Sequence, residues 1–283
     1  MYEGPTPTKF GQYQVAPSRQ FRRLHLHDGS PLHEVEHHIP IGVLDQEDLF
    51  AQGIDTSKLV PGARRVDALG SCTCNSGTAH VAERWTAAGR DLAGIHLTAA
   101  TNTTITLSAT NTAADEEFAV VLYHAVTDQT GDPATEWPPT DCGSSGYYVC
   151  TELERKGFAR SYRSAPNVLG ALSLLQTGTV MQGAPWFNAW MQPDSQGFID
   201  GDGSLDALYA AIESGVAGGH ETLQYAIPQL GQLRDGTTDL TRTVIRVRNS
   251  WSAGWGPLGG DYLIHASTLD YLGQYADYKA ITV

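Results

Sequence analysis

Residues 248–264 read RNSWSAGWGPLGGDYLI. Asn249 carries a side-chain amide that can hold one ring nitrogen of an imidazole and so fix its tautomer. Trp251, two residues on, can cover such a bond from water. A Gly-rich turn follows, and GDYLI then alternates as a strand does. The preceding RTVIRVRNSW, 242–251, alternates in the same way, so the stretch reads as two strands joined by a glycine-rich loop. Upstream, residues 218–225 read GGHETLQY. The two glycines would let other backbone approach the His220 ring closely. Taken singly, the first stretch also reads as a plain hairpin with a Gly-rich turn, and His220 reads more often as a satisfied loop histidine.

Further upstream, residues 70–80 read GSCTCNSGTAH, a cysteine that follows a Gly-Ser turn and opens a helix. At a helix start a thiolate meets unpaired backbone N–H groups and the positive end of the helix dipole, which suits a nucleophile. Alone, a thiol in that place is more often inert.

The order Cys72, His220, Asn249 makes the three informative together. These motifs resemble the papain-like cysteine peptidases, in which GSC opens a long helix, the histidine sits in GGH or a similar setting, and the asparagine begins NSW…WG…G. GSCTCNS is most similar to the bacterial and phage branch, whose common form is GSCTANA. DCGSSGYYVCTELERKGF at 141–158 resembles that branch's D-x-G-S-S motif, and LGALSLLQTGTVMQGAPW at 169–186 its next segment. The resemblance runs from about residue 61 to the C-terminus. It implies an α+β fold with an N-terminal helical half, a C-terminal antiparallel β half and an active-site cleft between them. It also implies hydrolysis of peptide bonds, with Cys72 as nucleophile, His220 as general base and Asn249 orienting the ring. The backbone of Gly143, Ser144, Ser145 and Gly146, with Trp251, would line the substrate cleft. Cys74 would be a packed core thiol.

Two departures stand out. The family places a Gln six residues before the nucleophile, where its amide helps form the oxyanion hole. Here that position is Val66, which has no side-chain donor. Either a donor from elsewhere substitutes or the hole is reduced to the Cys72 N–H. The expectation is a reactive Cys72 with weak turnover, raised by Val66→Gln. The alternative is a non-catalytic papain-like module with a structural or assembly role, for example in a phage virion. The second departure is the long span from His220 to Asn249, which an extended hairpin through PQLGQLRDGTTDL would accommodate.

Residues 1–60 read as an arm before a 61–283 peptidase domain. FRRLHLHDGSPLHEVEHHI, 21–39, alternates Leu24 and Leu26 with His25 and His27, and Asp28-Gly29 is a turn signal, so a β-hairpin is expected there. Such an arm would lie on its own domain as an inhibitory prosegment does, or on neighbours in an assembly. Removing residues 1–45 is expected to leave a folded core. Elsewhere the patterns predict a helix ending near Gly89, a Thr-rich hairpin over 97–112, and a helix around Phe118–Val126. They also predict a helix stopped by Gly157, and a helix capped by Ser204 and stopped by Gly215.

The chain has 283 residues, 18 Lys and Arg against 31 Asp and Glu, and a formal charge of −13. No basic run offers a stripe for nucleic acid. MYEGPTPTKFGQY lacks the apolar stretch of a secretory signal, and no apolar run is long enough to cross a bilayer. A cytoplasmic protein, or a component of a virion or other assembly, is expected. Four cysteines are too few for a disulfide scaffold of this size, and Cys142–Cys150 is the plausible pair. His33-Glu34-Val35-Glu36-His37 formally matches a zinc motif that requires a helix, but stands between Pro31 and Pro40 in a strand-like pattern. DGDGSLD, 200–206, has calcium-like spacing without the loop glycine, and reads as a turn with a helix cap. No metal and no cofactor is expected.

Overall fold

A computed structural model describes residues 24–129, 131 and 134–283. The longest helices come first: the helices are α1 (Thr56–Leu59), α2 (Cys72–Ala87), α3 (Thr112–Asp128), α4 (Gly146–Arg155), α5 (Val168–Leu175), α6 (Leu205–Glu213) and α7 (Ala266–Leu272). The strands are β1 (Val35–Glu36), β2 (His96–Thr98), β3 (Thr104–Thr106), β4 (Ser161–Ala165), β5 (Val180–Phe187), β6 (Val216–Gln229), β7 (Val244–Arg248), β8 (Asp261–His265) and β9 (Asp277–Thr282).

Local chemistry sets several of these boundaries. Asn111, Asn167 and Ser204 cap α3, α5 and α6, each accepting a backbone N–H from the first turn. Gly157 and Gly215, both at positive φ, follow α4 and α6 and let the chain turn away. The Thr-rich stretch forms the β2–β3 hairpin, with Leu97 opposite Ile105. DGDGSLD is a turn and cap: Asp202 accepts the Ser204 N–H, and Asp200 accepts the His265 N–H at 2.8 Å and the Thr268 hydroxyl at 2.6 Å.

One antiparallel sheet runs β4-β9-β5-β6-β7-β8, with β1 added alongside β6. It stands between two apolar cores. The first gathers Cys74, Val81, Trp85, Phe118, Leu122 and Val149 from the helices, with Met181 and Leu223 from the sheet. The second gathers Leu172, Trp186, Trp190, Ile245, Tyr262 and Leu269. Trp186 is its hub, with Trp190, Trp251 and Tyr262 edge-on at 5.5–5.6 Å between centroids. Truncating a buried Trp of this kind costs about 3–5 kcal/mol. The helical half, the antiparallel half and the seam between them are as the resemblance implied.

The N-terminal region takes a different course from the expected hairpin, whose residues 21–23 lie outside the described residues. Leu24 bridges Ser164, and Val35 pairs with Ile227 on β6. His37 donates its N–H to Tyr225 O at 2.9 Å, and its Nε2 lies 2.7 Å from Leu175 O. The alternation of Leu and His is that of extended chain, but its partners are strands far along the sequence. The motif His33–His37 is therefore not a helix; its Val35–Glu36 forms β1. Leu32 is buried in the second core, and Ile39, Ile41, Leu44, Leu49, Ile54, Leu59 and Val60 in the first. A cut after residue 45 would strip side chains from both cores, so the expectation of an intact truncated domain is revised. None of the four cysteines is in a disulfide. Cys142 has its sulfur 3.6 Å from Thr135 O, and Cys150 is buried, so the expected pairing is not formed. Among the described residues no helix is long and apolar enough to cross a membrane.

Candidate active site

Cys72 is the first residue of α2. Ser71 gives the helix no side-chain cap, so no N-cap hydroxyl competes for the first N–H groups. The preceding Gly70 is held from the side: its N–H reaches both oxygens of Asp141, at 2.9 and 3.1 Å. The Tyr123 hydroxyl donates to the same carboxylate at 2.8 Å and accepts the Gly143 N–H at 2.9 Å. One buried relay thus ties the nucleophile turn to the DCGSSG loop. Burial pushes the Asp141 carboxyl above its ordinary value, partly offset by Gly70 and Tyr123.

His220 lies on β6, opposite Ala184 of β5. Its Nε2 is 2.7 Å from Asn249 Oδ1, which also accepts the Ser250 N–H at 2.8 Å. An oxygen receiving that bond requires the proton on Nε2, which leaves Nδ1 as the basic nitrogen. Trp251 stacks on the ring at 4.7 Å and 24°, and Trp186 meets it edge-on at 4.9 Å. The next residue closes the connection: the Glu221 N–H donates to Cys72 Sγ at 3.4 Å. Cys72, His220 and Asn249 are 0%, 1% and 3% exposed. Substrate could reach the sulfur only after its surroundings open.

The Asn249 loop depends on glycine at one position. Gly260 has φ +90°, and a Cβ there would lie 2.6 Å from Val43 and 2.7 Å from Ser252 O. This close approach lets residues 44–46 run antiparallel to 250–252: Ser252 N–H bonds Leu44 O, Gln46 N–H bonds Ser250 O, and Asp45 bridges Trp251. Of the expected cleft residues, Gly143 has φ +80°, Ser144 and Ser145 are fully buried, and Gly146 opens α4. Val66 is part-buried against the first core, and its N–H donates to the Thr56 hydroxyl at 3.2 Å. Among the described residues no cluster of His, Cys, Asp or Glu could hold a metal.

Sequence reasoning passed over Gln46, Asp141 and Glu221. Asp141 stood inside a quoted motif, but nothing in the sequence pointed its carboxylate at Gly70. Gln46 carried no signal beyond its amide, because it stands far upstream of Cys72.

Two lobes meeting at a seam, a thiol at a helix start and a His–Asn pair from the sheet belong to the papain-like fold. The chain is similar in structure to xylellain, a cysteine protease from Xylella fastidiosa, with a TM-score of 0.58, 14% identity, and 100% of this chain and 99% of the other covered. It is similar also to proCathepsin B S9 from Trypanosoma congolense, with a TM-score of 0.52, 9% identity, and 97% and 87% covered. What is shared at these identities is the fold. No family model matches the chain, and no curated protein sequence matches it.

Proposed function

We propose that this protein is a papain-like cysteine peptidase of the bacterial and phage branch, hydrolysing peptide bonds through Cys72, His220 and Asn249. The observation that carries the reading is the 2.7 Å bond from His220 Nε2 to Asn249 Oδ1, one residue from the backbone N–H that reaches Cys72 Sγ. That bond reserves Nδ1 for the thiol proton. In the reaction, Nδ1 takes the proton and Cys72 Sγ attacks the peptide carbonyl carbon. An S–C bond forms, and the π electrons pass to the carbonyl oxygen. Collapse breaks the C–N bond, and the amine leaves with the proton returned by His220. Water, deprotonated by the same nitrogen, then cleaves the thioester, releasing the acid and restoring the thiol. Extended peptide backbone would lie along Gly143–Gly146, with Trp251 covering the His–Asn bond.

The test is an electrophilic thiol probe and a peptide-substrate panel, comparing wild type with Cys72→Ala. Labelling and hydrolysis that both vanish in the variant support the peptidase. The competing reading, a non-catalytic module in an assembly, is favoured by Val66 at the usual oxyanion position. It would be upheld by a wild-type protein that neither labels at Cys72 nor hydrolyses any peptide.

A further inference from the structure

We propose that Asp141 and Tyr123 are positioning residues of the peptidase, tying the turn that carries Cys72 to the loop along which substrate backbone would lie. This inference rests on the peptidase reading.

Gly70 stands two residues before Cys72 and is buried. Its N–H finds its acceptor in the Asp141 carboxylate, 2.9 and 3.1 Å from the two oxygens and 71 positions further along the chain. The other bonds of the turn are short-range. Ser71 N–H reaches Leu69 O at 2.8 Å, and the N–H groups of Cys74 and Asn75 reach Ser71 O at 2.7 and 3.0 Å. They shape the turn without fixing where it lies against the rest of the lobe. Leu69 is tied back to Gln46. Gly70, nearer the nucleophile, is tied to Asp141. A buried N–H that lost this acceptor would have to find another, and the turn would move with it.

The same carboxylate reaches the loop that begins at Gly143. The Tyr123 hydroxyl, carried on α3, has one proton and two lone pairs. Gly143 N–H can only donate, so at 2.9 Å it occupies a lone pair of that oxygen. The hydroxyl proton goes to Asp141 Oδ1, 2.8 Å away. The bonds therefore run one way, from Gly143 through Tyr123 to Asp141, and Gly70 closes the chain from the other end. Bonds in such a chain polarise one another, and burial strengthens each of them. Tyr123 is fully buried, with its ring 5.5 Å from that of Trp137 between centroids, so the hydroxyl has little freedom to leave. Gly143, at φ +80°, leads through the buried Ser144 and Ser145 into α4. A peptide paired with Gly143–Gly146 would thus be registered against Cys72 Sγ by two side chains. Attack needs the reacting atoms aligned, and a misplacement of about 1 Å costs about 100-fold in rate.

Two variants cut the chain at different bonds. Asp141→Asn keeps the shape and one acceptor oxygen, but its amide nitrogen cannot accept, so Gly70 and Tyr123 compete for that oxygen. It is expected to lower kcat about 10- to 100-fold. Tyr123→Phe keeps the packed ring and the Asp141–Gly70 bonds and releases only the Gly143 N–H. It is expected to raise KM about 10-fold, the worth of one hydrogen bond, with kcat nearer to wild type than in Asp141→Asn. Active sites are counted by titration with an irreversible thiol probe, and assays run well below each melting temperature, so loss of folded protein enters neither constant. A purely structural Asp141 would lower Tm and leave kcat per titrated site unchanged, and that result overturns the assignment. So does a Tyr123→Phe protein with wild-type KM. If Asp141→Asn does not fold, the KM of Tyr123→Phe decides. Cys72→Ala keeps the two readings apart. If it retains full hydrolysis, the peptidase reading fails. If it abolishes hydrolysis while the other two variants keep wild-type kcat and KM, only the positioning assignment fails.

Discussion

His220 and Glu221 are neighbours on β6 and face opposite cores, and the contrast between them separates chemistry from its support. On one face, His220 meets Trp251, Trp186 and Asn249, an aromatic setting that fixes its tautomer and shields its bond. On the other, Glu221 is buried against Gly146 at the start of α4, where a Cβ would lie 2.6 Å from its carboxylate. Asp277 and Glu221 both pair with Gly183, so no side chain stands between them on that row. Lys279, two residues along β9, reaches Asp277 at 2.9 Å. Burial pulls the Lys279 ammonium down, but Asp277 and Glu221 outweigh it and hold it above its usual value. Glu221 is pushed well above the carboxylate range, first by burial and then by Asp277, against the pull of Lys279. One face is built for proton transfer at defined atoms. The other buries the Asp277–Lys279 ion pair beside the raised Glu221 carboxyl, and the Glu221 backbone N–H reaches Cys72 Sγ.

Changes on the His220 face should act on rate, and the largest effect should come from His220 itself. His220→Ala is expected to lower turnover by about 10⁴-fold or more, as removing the base of a triad does. Thermal stability should fall far less in proportion. Asn249→Ala is expected to cost less, on the order of 100-fold, because the imidazole remains and only its tautomer and aim are released. Steady-state kinetics with paired melting curves would decide both. Equal losses from the two variants would mean that the ring cannot work at all without its amide.

Changes on the Glu221 face should act on stability, with a defined pH sign. A carboxyl whose folded pKa is raised gives its full stability below the unfolded value, and loses it as pH rises through the folded value. Glu116, buried beside Asn75 and raised to about 7 by burial, has the same sign. Its shift corresponds to about 3 kcal/mol. Wild-type Tm is therefore expected to fall from pH 5 to pH 8. Glu221→Gln should match wild type near the ordinary carboxylate range and become the more stable protein as pH rises, with turnover of the same order. Parallel melting curves across that range would mean that Lys279 balances the charge, and the contrast between the faces would weaken.

Short-range signals made much of this legible. The helix after GSC, the Ser204 cap, the Thr-rich hairpin and the paired strands around Asn249 all follow from local spacing. What escaped reading depends on partners distant along the chain. The Leu–His alternation at 24–27 announced an extended segment but not that Ser164 would receive it. β9, DYKAIT, enters the sheet between β4 and β5 with a buried lysine, and composition alone assigns that lysine to the surface.

The smallest expected effect tests whether the two faces also divide the thiols. Cys72 and Cys74 are two residues apart, and both are completely buried. Burial alone therefore cannot distinguish a nucleophile from a packed thiol. Their neighbours do. Cys72 Sγ takes the N–H that follows His220, at the open end of a helix. Cys74 belongs to the first core, and burial, with smaller contributions from Cys72, Glu152 and Glu221, pushes its thiol well above the usual value. A thiol so raised stays protonated and reacts slowly with electrophiles. Cys74→Ala is accordingly expected to leave hydrolysis and Cys72 labelling intact and to cost about 1 kcal/mol of stability for the lost sulfur contacts. Mass spectrometry of probe-labelled peptides, with a melting curve of the variant, measures both. If Cys74 labels as fast as Cys72 in the folded wild type, the sheet does not divide the two thiols, and the helix start alone sets their reactivity.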